Sequence, residues 1–88
     1  MNVITLRLAI SRHGLPVYIL ADDREEELFC EHFGIHSRTV YPNPGIAHIR
    51  EHPNKLLVVC GIGWAERTAD EAIANGWEVM YWKDYNFS

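Results

Sequence analysis

Two short runs, Val17-Tyr18-Ile19-Leu20-Ala21 and, in the strand that Lys55 opens, Leu56-Leu57-Val58-Val59-Cys60, do not alternate apolar with polar residues. A strand with one wet face alternates; a strand without alternation must be covered on both faces. At five residues each they fall far short of the ~20 needed to span a bilayer, so they belong inside a protein core. Strands buried on both sides are the signature of a parallel sheet held between helix layers. That single feature argues against a one-sided antiparallel sheet.

The rest of the chain supplies the covering helices. Residues 2–13 read either as a strand, through alternating Ile4, Leu6, Leu8 and Ile10, or as a helix. Helix is the reading adopted here, because Asn2 can cap the start and Arg12-His13-Gly14 reads as a glycine-ended C-terminus. Asp22-Asp23 ends the first buried run. Arg24 to Phe33 follows as a helix with Leu28, Phe29, Cys30 and Phe33 available for its buried side and Glu25, Glu26 and Glu27 near its positive end. Arg38-Thr39-Val40-Tyr41 reads as a strand broken by Pro42-Asn43-Pro44. Ile46 to His52 is a short helix stopped by Pro53. Trp64 to Asn75 is a helix closed by Gly76, and Trp77 to Trp82 is the last strand. The order α-β-α-β-α-β-α-β with short connections predicts a small three-layer, Rossmann-like or flavodoxin-like α/β fold with a mostly parallel four-stranded sheet. Strand order stays open at this point.

With 88 residues, one domain is expected. Size scaling has about 64% of the unfolded chain's surface buried on folding, enough for a modest core. Twelve acidic side chains against eight Lys and Arg give a net charge of -4, which argues against binding to a nucleic-acid backbone. The start, MNVITLRLAIS, has neither a basic leader segment nor a small-residue cleavage site, so no signal peptide is expected. Cys30 and Cys60 are too few for a disulfide framework, and a reducing, cytoplasmic setting is the expectation. No membrane partner is expected.

In an open parallel sheet, ligands gather outside the carboxyl ends of the strands, beside helix N-termini. The expected topology brings Asp22-Asp23-Arg24, Tyr41 to Gly45, Gly61-Ile62-Gly63-Trp64 with Glu66 and Arg67, and Lys83-Asp84-Tyr85 to that edge. Asp22, Arg24, Asn43, Gly61, Gly63, Trp64 and Arg67 are the candidate ligand-binding residues. The two glycines allow close backbone approach, and the following helix start offers N–H groups to an anion. The same residue types also simply make tight turns. Cys60-Gly61-Ile62-Gly63-Trp64-Ala65-Glu66-Arg67-Thr68 is not a P-loop, lacking Gly-Lys-Ser/Thr, and it lacks the third glycine of G-x-G-x-x-G. Asp22 and Asp23 alternate in direction, so one can cap a helix while the other faces a ligand.

Cys60 has two readings. At a helix N-terminus near an arginine, a thiolate would be activated; as a small apolar side chain, it would be buried and inert. The segment resembles the C-x5-R-S/T loop of cysteine phosphatases, although six residues separate Cys60 from Arg67. It also resembles the Cys-Gly-x-Gly loop of phosphotransferase-system IIB proteins, which follows their first strand rather than the third. Gly63 to Val79, with Arg67-Thr68-Ala69-Asp70 and Asn75-Gly76-Trp77-Glu78-Val79, looks like the closing βαβ segment of SLOG-type nucleotide-binding domains; that resemblance implies a nucleotide-type ligand.

His48-Ile49-Arg50-Glu51-His52 fits the H-x-x-E-H pattern of inverted zinc peptidases. Pro53 ends that helix at once and no third ligand follows in pattern, so no metal site is assigned. Cys30, His32 and His36 make no better cluster, since Cys30 and His32 lie about 200° apart around a helix. Ser11, Ser37 and Ser88 lack a nucleophile-elbow setting. No catalytic residue and no cofactor are assigned. Trp77, Tyr81, Trp82, Tyr85 and Phe87 crowd the C-terminal end. The first three are expected in a strand, whereas Tyr85 and Phe87 lie beyond it and suit an interface with a partner protein or a second copy. Two functions follow as expectations: a non-catalytic protein binding a small anionic or nucleotide-like ligand, or an acidic interaction module of the small phage or bacterial regulatory type.

Overall fold

The computed structural model describes residues 3–60 and 66–82. Helix α1 spans Val3–His13, β1 Val17–Leu20 and α2 Asp23–Phe33. A 3-10 turn at Ser37–Thr39 leads into β2, Val40–Pro42, then α3, Ile46–Glu51, and β3, Leu56–Val59. Among the described residues, α4 covers Glu66–Ala74 and β4 covers Glu78–Tyr81. All strand pairs are parallel, and the sheet order is β2-β1-β3-β4. The fold is an α/β sandwich of the flavodoxin-like kind, with the chain reversing its direction of travel across the sheet between β1 and β3.

Strand alternation and helix placement agree. Val17, Ile19, Ala21, Val40, Leu56, Val58, Cys60, Met80 and Trp82 face the α1 and α2 layer, where Leu6, Ala9, Phe29, Cys30 and Phe33 meet them. Tyr18, Leu20, Leu57 and Val59 face the other way, against Ile49 of α3, Ala72 of α4 and Trp77. Right-handed crossovers require this arrangement: α2 carries the chain from β1 outward to β2, while α3 and α4 carry it the opposite way, so they land on opposite faces. Phe29, Ile19, Ile49 and Leu57 are essentially inaccessible. Each such side chain stabilises the fold by about 1.5–3 kcal/mol relative to exposure.

The N-terminal segment resolves as helix because Leu6, Ala9 and Ile10 meet the core while Leu8 points to solvent. It ends at Gly14, whose φ of 83° belongs to the left-handed region and whose N–H donates to the Ile10 carbonyl at 2.8 Å. Two local expectations need correction. Arg38 and Thr39 are not strand: the His36 ring accepts the Arg38 N–H at 3.2 Å and closes a 3-10 turn, so pairing begins only at Val40. Leu28 is 38% exposed, because the buried stripe of α2 runs through Phe29, Cys30 and Phe33 and leaves Leu28 on its flank.

Polar ties fix the layers at the amino edge of the sheet. Glu78, at the start of β4, pairs with Arg12 at 2.5 Å and with the His13 ring at 3.1 Å, which anchors the end of α1. The Arg7 guanidinium lies 5.1 Å from the Phe33 ring centroid and donates to the Phe33 and His32 carbonyls at 3.4 Å, against the negative end of α2. On the opposite layer, Arg50 of α3 and Glu71 of α4 form an ion pair at 2.6 Å.

Candidate functional site

Sheet order selects the place. Where neighbouring strands send their helices to opposite faces, a crevice opens at the carboxyl ends, and here that point lies between β1 and β3. Backbone bonds hold both strand ends past their formal limits. The Cys60 N–H donates to the Leu20 carbonyl at 2.9 Å, and the Asn43 N–H donates to the Ile19 carbonyl at 2.6 Å. The Asn43 side chain then extends the ladder: its Oδ1 accepts the Ala21 N–H at 3.0 Å, and its Nδ2 donates to the Ala21 carbonyl at 2.9 Å. Asn43 holds φ at 50°, a conformation that asparagine tolerates better than most residues. The side chain thus works first as a clamp on the β1 end.

Asp22 is engaged as well. Its Oδ1 accepts the Glu25 N–H at 2.7 Å, and the Glu25 carboxylate accepts the Asp22 N–H at 2.8 Å, a complete capping box. With Asp23, Glu25 and Glu26 in the first turn, the positive end of α2 is already matched by carboxylates. Arg24 stands exposed in that same turn, and Arg67 stands exposed in the first turn of α4. The structure therefore brings one arginine to each side of the crevice, on the two helices that leave it. Neither forms an ion pair with another described residue. Gly61, Gly63 and Trp64 lie outside the described residues, as do Tyr85 and Phe87.

Cys60, next after β3, turns its side chain inward, 2% exposed and packed in the cluster that holds Cys30 and Ala21. Burial pushes its thiol well above the ordinary range, and the nearby Glu25, Cys30 and Glu26 add to that direction. A thiol so placed is not a thiolate at neutral pH, so of its two readings the structural one describes it.

The histidines of the H-x-x-E-H stretch join an aromatic column. His48 stacks on Tyr41 with ring centroids 4.5 Å apart, His52 follows at 4.3 Å, and His48 Nε2 lies 3.5 Å from the Tyr18 hydroxyl. Tyr18 in turn meets Trp77 edge-on at 4.9 Å. No group of three or more His, Cys, Asp or Glu side chains among the described residues is placed to hold a metal ion. His32 packs against Phe33 and Trp82, and His36 serves the 3-10 turn, so neither converges with Cys30. Trp77 and Trp82 are buried, while Tyr81 is 47% exposed. Among the described residues, no helix is long and apolar enough to cross a membrane.

Sequence reasoning placed Asp22 and Asn43 at the carboxyl edge and gave one of Asp22 and Asp23 to a helix cap, a role the structure gives to Asp22, but it did not foresee the bonds of Asn43 to Ala21. The signal was present: Asn43 sits between two prolines, where an amide side chain that bonds neighbouring backbone is favoured. No family model, curated protein or solved structure matches this chain.

Proposed function

We propose that the protein is a non-catalytic binder of a small anionic or nucleotide-like ligand, held at the carboxyl edge between β1 and β3. The observation that supports this reading most is the sheet order itself, which puts a topological switch point beside two exposed arginines, Arg24 and Arg67. The anionic group is assigned to the Arg67 side, with the sequence candidates Gly61, Gly63 and Trp64 that precede it in the chain, because the start of α2 is already supplied with carboxylates. Asp22 and Asn43 shape the opposite wall through the bonds that fix Ala21. Arg24 flanks that wall. No nucleophile is needed for such a role, and the buried Cys60 offers none.

Thermal unfolding with a panel of nucleoside mono-, di- and triphosphates and inorganic phosphate tests it. A ligand at 100 times its Kd adds about 2.7 kcal/mol, which for a domain of this size raises Tm by about 10 °C or more. One class should produce this shift, and Arg67→Ala should reduce it at least tenfold in apparent affinity. A flat response across the panel contradicts the reading.

A second reading rests on Ile73 of α4, which is 58% exposed, and on Tyr81 of the edge strand β4. An acidic protein with apolar side chains at a sheet edge suits a protein partner or a second copy, and Tyr85 and Phe87, outside the described residues, are the sequence candidates for that contact. Removal of residues 85–88 should then abolish association in sedimentation without unfolding the chain.

A further inference from the structure

A second concavity lies at the opposite edge of the sheet. The C-terminal end of α1 lies at the amino edge, as the Arg12 and His13 contacts with Glu78 show, and Arg7 of α1 reaches the carbonyls at the end of α2. Between them is a cleft of about 170 Å3, lined by Arg7, Ile10, Ser11, Phe33 and Ile35. Three of these five residues are apolar, so the cleft favours hydrocarbon. The other two place a guanidinium and a hydroxyl at its rim.

Arg7 is the informative residue. Its contacts with the Phe33 and His32 carbonyls are long, 3.4 Å each, and leave most of its five N–H donors available. No described carboxylate pairs with it. Its guanidinium carbon lies 5.1 Å from the Phe33 ring centroid, a cation–π contact that keeps the group at the cleft. A planar fork of this kind matches a carboxylate through two parallel bonds. At about 170 Å3 and open to solvent on one side, the cleft has room for a short hydrocarbon chain laid along Ile10, Phe33 and Ile35. A phosphate or nucleotide would set polar oxygens against Ile10, Phe33 and Ile35 with nothing to bond them.

We propose that this cleft is a binding site for a small hydrophobic monocarboxylate, with its carboxylate on Arg7 and Ser11 and its hydrocarbon against Ile10, Phe33 and Ile35. It is separate from the carboxyl-edge site and does not depend on it.

Amide NMR titration of the full chain with hexanoate, at matched ionic strength, tests the assignment, with hexanol and hexylammonium as controls. Saturable shifts are expected at Arg7, Ser11, Phe33 and Ile35, and not at Asp22 or Asn43. Hexanol and hexylammonium should bind at least tenfold more weakly. Arg7→Met, which keeps helix propensity and apolar contact with Phe33, should weaken hexanoate about tenfold or more, and Ser11→Phe should block the cleft from its solvent side. Should Arg7→Met lose its dispersed spectrum, Arg7→Lys and Ser11→Phe decide alone, each with the same required loss. Equal binding of hexanol and hexanoate, shifts elsewhere only, or hexanoate affinity unchanged in a folded variant would overturn the proposal. Shifts of the same amides on simple dilution would assign the cleft to a second copy and overturn it too.

Discussion

The side-chain amide of Asn43 pairs with both backbone groups of Ala21, taking its N–H at 3.0 Å and giving to its carbonyl at 2.9 Å. One side chain thereby continues the sheet by one rung beyond β2, at the wall of the proposed site. Asn43→Ala removes both bonds and leaves a β-carbon-bearing residue at a left-handed φ that asparagine tolerates better. A loss of about 2 kcal/mol is expected in urea unfolding. Asn43→Asp should cost at least as much at neutral pH, because a carboxylate replaces the donor that faces the Ala21 carbonyl. A loss below about 0.5 kcal/mol for both variants contradicts the clamp.

Glu78 joins α1 to β4, and its carboxyl is held below the usual range by the His13 hydrogen bond first and the Arg12 hydrogen bond second. A carboxyl depressed in the folded state contributes stability that is present above its unfolded pKa of about 4.3 and disappears as pH falls through the folded value. Because Arg12 and Glu78 are well exposed, the contribution is expected below about 1 kcal/mol. Glu78→Gln should therefore lower Tm slightly at pH 7, and the gap from the parent should narrow as the pH is lowered below about 4. A gap that widens on acidification contradicts the sign.

Both thiols are buried, and burial raises both, with Glu26 adding to the effect on Cys30. In the folded protein at pH 8, Ellman's reagent should react with Cys60 at least a hundredfold more slowly than in 6 M guanidinium. Cys60→Ser should cost about 1–3 kcal/mol, since a hydroxyl enters an apolar cluster, and Cys60→Ala should cost less. Rapid stoichiometric labelling of Cys60 in the folded state would revive the nucleophile reading.

Trp77 is buried with its indole N–H unbonded among the described residues. Trp77→Phe gives up volume but also removes that unsatisfied donor, so it should cost no more than about 1–2 kcal/mol. Phe29→Ala, which only opens a cavity, should cost about 3–5 kcal/mol and bring the fold close to its limit of stability. Equal losses for the two would remove the argument about the indole donor.

Much of this architecture was legible because local chemistry and packing agree. The buried runs of β1 and β3 could only lie between two helix layers, and Asp22, Glu25, Phe29, Phe33 and Gly34 mark both ends and the inner face of α2. What was not legible depends on distant partners. Nothing near Glu78 announces Arg12 and His13, which lie more than sixty positions away. Arg7 reads as an ordinary exposed helix residue until the end of α2 arrives beneath it. At Arg38-Thr39, a β-branched residue suggested strand, but the His36 ring offered the backbone a competing bond and won. The carboxyl edge of the sheet could be read from the alternation of strands and helices, whereas the strand order and the state of the residues at that edge could not. A cap from Asp22 or Asp23 was visible in the sequence, whereas the bonds of Asn43 to Ala21 are seen only in the structure.

The carboxyl-edge site is tested most directly by amide NMR titration of the full chain with the nucleotide or phosphate that gives the largest thermal shift. Saturable shifts should concentrate in residues 21–25, 43–45 and 60–67 and be lost in Arg67→Ala. Shifts confined to the amino edge, around Arg7 and Phe33, or no saturable shifts at all, would contradict a ligand at the switch point between β1 and β3.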